Sequence, residues 1–345
     1  MKTFLLLATA SIGTGLALRY AFHHHADKPA APSPPHVVAV PPPPPAPAVA
    51  PEPPPPPPVA PEPPPPPPAP RIAGAKQISD ASAQYFATAP GVVYYCEGGS
   101  VMAQPKSGGA AKAVGSCDQA FDFVADAEAV FYCDQRRLLR ITAGTTGEHV
   151  VADDIDCIME SLDAKYAYFV VPGFDTIPNP GVYRVARAGG TPEKILASRP
   201  KEQFSVIAEA DVIWLDAYGA GTIAKLAKTP GATPKTVIAN QSGIVSFAVD
   251  ATYLYWYVET TTEIRRRKRT GGAIEVIGHD VGHEPVRAAD GHVYWFEGNN
   301  LVHLAPGAAK PVTIASDLHS PSLRVDSEGA YVTELDQPGI FMFPR

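Results

Sequence analysis

From residue 71 onward the apolar positions fall in short runs rich in β-branched and aromatic residues, each cut off by Gly, Asp, Asn or Pro. An inner strand such as VSFAVD (245–250) or SLRVD (322–326) turns through Asp, Ala or Gly into an aromatic strand. A third strand follows, such as GVYRVAR (181–187) or TIAKLAK (222–228). After a GG, PG or AG turn comes a fourth, such as EKILAS (193–198) or KTVIAN (235–240). No helical repeat reads this way.

The four-strand order recurs. Anchored on the third residue of each apolar–aromatic triplet, the units fall at Tyr95, Tyr132, Phe169, Trp214, Trp256, Trp295 and Val332, at intervals of 37, 37, 45, 42, 39 and 37 residues. Four short antiparallel strands every 40 residues or so are the pattern of propeller blades, which bury their faces against one another. The prediction is an all-β chain, a seven-bladed β-propeller of four-stranded antiparallel blades. Arg345 falls level with Arg187, Lys228 and Arg269, so the seventh blade runs out before its outer strand. GAKQIS (74–79) resembles the outer-strand phrases AAKAVGS (110–116) and AKPVTIAS (309–316). Residues 72–79 are therefore expected to supply the missing strand and close the ring, since an open blade would leave a bare edge. The alternative is a flexible tail.

VDATYLYW and AADGHVYW, each followed by a third strand and a glycine turn, resemble the blades of the YWTD and NHL class of β-propellers, particularly those of secreted bacterial proteins. The likeness spans residues 71–345. It departs from the YWTD pattern in YYCE and FYCD of the first two blades and in AYFV and AYVT of the third and seventh. What it implies is the fold; propellers of this kind include receptor modules, periplasmic scaffolds and lyases, so activity is left open.

Composition adds the surroundings of this ring. Of the 40 prolines, 25 lie within residues 29–70, in PPPPPAPAVA and two PEPPPPPP phrases. Fixed φ and missing donors make this a disordered or polyproline II linker, roughly 130 Å long if fully extended. Residues 1–28 open MKTFLLLATASIGTGLALRYAF and are read as a signal peptide or an N-terminal membrane anchor through residues 4–22, with a buried helix as the third option. Either leading case places the propeller outside the cytoplasm, in the periplasm or cell envelope, or secreted if the segment is cleaved. A net charge of -7 argues against nucleic acid as a partner.

The four cysteines take only two repeat positions. Cys96 and Cys133 directly follow the aromatic anchor, whereas Cys117 and Cys157 lie in the connection from an outer strand to the next inner strand. In a four-stranded blade these two places meet on one rim, so Cys96–Cys117 and Cys133–Cys157 are the expected disulfides, as suits an oxidising compartment. Four cysteines permit other connectivities, and a thiolate metal site is the rival; it lacks close Cys-x2-4-Cys spacing.

Three segments carry candidate chemistry. IGHDVGHEPV (277–286) brings His279, Asp280, His283 and Glu284 to a connection aimed at the channel mouth, where imidazole and carboxylate suit a general base or a weak metal site. The plainer alternative is a polar loop. In EIRRRKRTGG (263–272), Arg266 and Arg269 occupy repeat positions read as solvent-facing, while Arg267 replaces Val185, Leu226 and Phe343 and needs a carboxylate or a path to water. Arg265, Arg267 and Arg269 form a possible anionic-partner surface. The insertion FVVPGFDTIPNPGVY (169–183) offers Phe174, Asp175 and Asn179 as further partner contacts. The tryptophans are read as one inter-blade packing column.

The expected function is a non-catalytic binding or scaffold module, monomeric, without cofactor, held on a proline-rich arm and meeting an envelope protein or a small extracellular ligand. The alternative is a lyase or hydrolase acting at the channel mouth near His283 and Glu284.

Overall fold

The computed structural model describes Ile72 and residues 74–345, apart from 84, 119, 135, 174–176, 199–202, 218–219, 230, 283–284, 320–321 and 334–337. Residues 1–28 and 29–70, for which a signal peptide or anchor and a linker are expected, lie outside the described residues. Seven four-stranded antiparallel sheets form a ring, covering residues 86–116, 121–152, 158–197, 204–238, 244–278, 287–315 and 322–344. The expected seven-bladed propeller is thus the observed fold. The seventh sheet is completed by Lys76–Ser79, which pairs antiparallel with Ile340–Pro344 through Lys76↔Met342 and Gln77↔Phe341. The first and last strands of the ring thus share one blade, as the unfinished seventh repeat required.

The core lies between blades. Strand pairing defines two columns on each second strand. Tyr94, Phe131, Tyr168, Trp214, Tyr255, Tyr294 and Tyr331 occupy equivalent places opposite the third strand. Their neighbours Tyr95, Tyr132, Phe169, Leu215, Trp256, Trp295 and Val332 point to the other face, because side chains alternate along a strand. The first column of one blade packs on the second column of the next: Tyr168 with Leu215, Trp214 with Trp256, Tyr255 with Trp295 and Tyr331 with Tyr95.

This register corrects the sequence alignment at Trp214. Trp214 pairs with Lys225 just as Tyr255 pairs with Arg266, so Leu215, and not Trp214, is the counterpart of Trp256 and Trp295. Aligning on the largest aromatic side chain shifted the blade by one position and placed the ring on the wrong face.

A charged layer reinforces the junctions on one rim. The first turn of a blade carries an acid, and the end of the next blade's third strand carries a cation that reaches it. Arg187 holds Asp126, Lys228 holds Asp163, Arg269 holds Glu209, Arg345 holds Asp290, and Lys106 of the first blade holds Asp326 and Glu328 of the seventh. Four of these cations also lie over the first-column aromatic of the preceding blade: Lys106 over Tyr331, Arg187 over Phe131, Lys228 over Tyr168 and Arg269 over Trp214. Two junctions lack the cation, because Ala143 and Pro306 stand in its place. Arg269 is accordingly an inter-blade residue and not the solvent-facing one expected. The low dielectric beneath the aromatic rings makes the carboxylate the better neighbour for its guanidinium.

Candidate functional site

The second rim is built from the turns between second and third strands and from the connections that carry the chain to the next blade. The two are stitched together around the ring: Cys117 N–H donates to Gly99 O at 3.0 Å, Ile155 to Arg136 at 2.8 Å, Gln241 to Gly221 at 3.1 Å, Val281 to Thr262 at 3.1 Å and Leu318 to Asn299 at 3.0 Å. At Gly221 a side chain would collide with this contact, since its φ is +69° and a Cβ would stand 2.9 Å from the Gln241 carbonyl. In the first two blades the same contact is covalent. Cys96–Cys117 and Cys133–Cys157 are disulfides with Cα–Cα distances of 6.0 and 5.8 Å, the pairing expected from the repeat. Asp216 of the fourth blade occupies the place of Cys96 and Cys133, one position beyond the second column.

The two disulfides indicate an oxidising, extracytoplasmic setting for the ring. Among the described residues no helix is long and apolar enough to cross a membrane.

Of the sequence candidates, His279 and Asp280 are exposed in the connection from the fifth to the sixth blade. They are tied to the rim turns, with His279 N–H donating to Glu297 Oε1 at 3.3 Å and Asp280 O accepting the Gly298 N–H at 2.9 Å. His283 and Glu284 lie outside the described residues, as do Phe174 and Asp175. Asn179 is exposed with φ 56°, and its carbonyl accepts the Tyr183 hydroxyl at 2.6 Å. The structure separates the three arginines. Arg265 is held by Glu263 and by Gln241 Oε1 at 2.7 Å, Arg269 grips Glu209 with both terminal nitrogens, and Arg267 reaches back to the fourth blade, where Nη1 donates to Val237 O at 2.9 Å. Arg267 thus meets a carbonyl and not the carboxylate it could have required. Arg266 is drawn inward too, onto Glu275 and the Tyr253 ring. Among the described residues no three His, Cys, Asp or Glu side chains converge as a metal site.

What the sequence did not reveal is the set of acidic and basic side chains carried on and beside the inner strands. Pairing of Ile158–Leu162 with Tyr166–Val171 slips between Met159 and Ser161, leaving Glu160 without a partner opposite. Glu160 turns to the neighbouring inner strand, where its carboxyl accepts the Val206 N–H at 3.0 Å, and Ser161 Oγ accepts the Ala208 N–H at 3.0 Å. These side chains satisfy backbone donors that no strand ladder reaches. Burial pushes Glu160 up to about 8, with Asp122 and Asp216 adding to the rise and the Val206 N–H and Arg287 opposing it. Asp216 is 1% exposed, its Oδ1 has no hydrogen-bond partner, and burial alone carries it to about 8. Burial thus favours the protonated form of both groups, in which a carboxyl can donate a hydrogen bond. Guanidinium groups belong to other blades: Arg287 and Arg324 both donate to Leu323 O, at 3.5 and 3.0 Å, and Arg324 lies over Phe86. On the inner strands the carboxyl groups Asp122 and Glu160 come from blades two and three and the cations Arg287 and Arg324 from blades six and seven, while Asp216 stands buried on a second strand. A polar ligand with separated donor and acceptor ends is what such side chains can hold, and a protonated acid among them could also transfer a proton. The bulge that frees Glu160 leaves no mark in composition; a lone acid within an inner strand was the available signal.

No family model matches this chain, and no curated protein matches it. Solved structures do. Virginiamycin B lyase from Staphylococcus aureus is similar with a TM-score of 0.59 at 12% identity, over 78% of this chain and 97% of that one. YCF48 bound to D1 peptide gives 0.56 at 10% identity, over 77% and 94%, and YCF48 from Cyanidioschyzon merolae gives 0.56 at 12%, over 78% and 98%. At these identities the likeness concerns the fold alone: the chain shares the seven-bladed β-propeller architecture of a lyase and of a peptide-bound protein.

Proposed function

We propose that the chain is a non-catalytic extracytoplasmic binding module of YWTD-like character, exported or anchored by residues 1–28, displayed on the proline-rich arm, and meeting an envelope protein or small extracellular ligand at its disulfide-bearing rim. The observation that carries this reading is the pair of disulfides on one rim in adjacent blades. They make the turns and connections there rigid, and a rigid, pre-ordered surface loses little entropy on binding. That a propeller of the same architecture holds a peptide supports it.

A photoreactive side chain placed at Asp118, beside Cys117, or at Asn179 should crosslink one discrete partner in intact cells. The same group at Lys235, on the outer strand of the fourth blade, should not. Equal capture from all three positions, or none from any, would refute the rim as the binding face.

The raised pKa values of Glu160 and Asp216 favour a second reading, a lyase or hydrolase using these carboxyls as acids, with His283 and Glu284 at the channel mouth. Loss of a reproducible turnover in Glu160→Gln/Asp216→Asn, with the fold unchanged, would favour it over binding.

A further inference from the structure

The seven blades serve as controls for one another, and one slot in the sixth differs chemically from its counterparts. In the third and fifth blades this slot holds a cation over an aromatic ring: Arg184 lies 4.6 Å from the Tyr166 ring centre, and Arg266 lies 4.8 Å from that of Tyr253. Each arginine is also bound by a carboxylate on the adjoining outer strand, Glu193 and Glu275 respectively. By strand register the corresponding residues of the sixth blade are His303, His292 and Val312. His292 Nδ1 and His303 Nε2 are 2.8 Å apart, and the rings lie edge to edge and nearly coplanar, with centres 5.0 Å apart and 7° between planes. Tyr294 stacks on the other histidine contact, 4.5 Å from His303. Val312, 56% exposed, cannot neutralise a cation.

A 2.8 Å contact between two imidazole nitrogens requires that one be a donor and the other a lone-pair acceptor, so at least one ring is neutral. We propose that His292 and His303 form an acid-released clasp between the second and third strands of the sixth blade, beside its junction with the seventh, holding while one ring is neutral and parting when both become imidazolium.

The surroundings leave a second imidazolium without compensation. The pair shares its face with Tyr294, which packs toward the seventh blade. From that blade comes the cation Arg345, committed to Asp290 at 3.0 Å and to the carbonyls of Ala289 and Asp326. Asp326 and Glu328 are engaged by Lys106. Among the described residues Asp290 is the carboxylate that acts on His292, and Arg345 already holds it. Burial lowers the affinity of both rings for a proton; Arg345 then disfavours the charge on His292 against the opposing pull of Asp290, and His292 and Arg345 disfavour it on His303. Stability is full above the ordinary histidine value of about 6.5 and is lost as pH falls through the lower values of the folded state. Repulsion would bear on Arg345–Asp290, an ion pair of this junction, in the blade that Lys76–Ser79 closes. The clasp is independent of which ligand the rim binds.

The test compares the full chain with His292→Tyr/His303→Arg/Val312→Glu, which rebuilds the slot of the third and fifth blades. Between about pH 7.5 and 5 the melting temperature of the wild type should fall at least about 3 °C further than that of the variant, as expected for roughly one proton-linked repulsion in a ring of this size. Parallel curves would overturn the proposal. In the wild type, the Cε1–H resonances of His292 and His303, assigned through single His→Gln changes, should titrate below the ordinary value. Titration of both at or above about 6.5 would also overturn it, whether or not the triple variant folds.

Discussion

Replacing Lys106 by Met should open the ring where its two ends meet. The ammonium is 3% exposed, 2.5 Å from Asp326 Oδ2 and 3.0 Å from Glu328 Oε1, and 4.7 Å from the centre of the Tyr331 ring. Methionine keeps most of the stem and its packing while removing the charge. Loss of one partner from a fully buried pair costs about 3–5 kcal/mol, because the other charge is stranded. Here Asp326 and Glu328 keep 16% and 39% of their side-chain surface and can turn partly to water, which reduces the expected cost. About 2 kcal/mol is the resulting magnitude, or a melting temperature lower by about 4–8 °C. The matched control is Arg136→Met, which removes an ion pair to Asp154 whose members are 52% and 89% exposed; it should shift melting by about 1 °C or less. Thermal unfolding of both variants at one scan rate gives the comparison. The effect also carries a pH signature. Burial raises the Glu328 carboxyl, but the Gly91 N–H and the Lys106 ammonium outweigh it and hold the group below the usual carboxylate range. Stability from this pair is present above the unfolded value of about 4.3 and is lost as pH falls through the lower folded one, so the difference between wild type and variant should shrink progressively in acid. A Lys106→Met shift no larger than that of Arg136→Met would refute the reasoning.

Removal of residues 1–71 should leave the melting temperature unchanged, whereas removal of 1–80 should lower it by stripping Lys76–Ser79 from the seventh blade; equal stability of the two truncated chains would contradict the closure. Asp216→Leu should be stabilising, and increasingly so as pH rises from about 4 to 8, because a carboxyl whose folded value is about 8 must keep a proton that the unfolded chain releases near its ordinary value of 3.8. A pH-independent difference in melting temperature across that window would show that the carboxyl is solvated or paired.

What the sequence determined by itself was everything local to one repeat unit or shared by all of them. Strand-length apolar runs, glycine turns and aromatic triplets depend on neighbours a few residues away, and seven copies average out the ambiguities of any single one. For the same reason the cysteine pairing was legible: it needed only the knowledge that two repeat positions share a rim. The missing outer strand of the seventh blade was read by subtraction, and Lys76–Ser79 filled it. What the tertiary structure decided lies between units or in departures from their period. Arg187 and Asp126 are 61 residues apart in the chain, and Arg269 and Glu209 are 60, so each cation looks solvent-facing until a particular neighbouring blade is set against it. The histidine clasp depends on a nitrogen–nitrogen contact across two strands and on the proximity of Arg345, neither of which spacing conveys. Trp214 and Glu160 show the finer limit. Side-chain direction in a strand has a period of two, so a one-residue error of alignment or a single bulge moves a side chain from one face to the other. Which ring meets which blade, and which carboxyl turns to a neighbouring inner strand, follows only from the hydrogen-bonded register of the assembled ring.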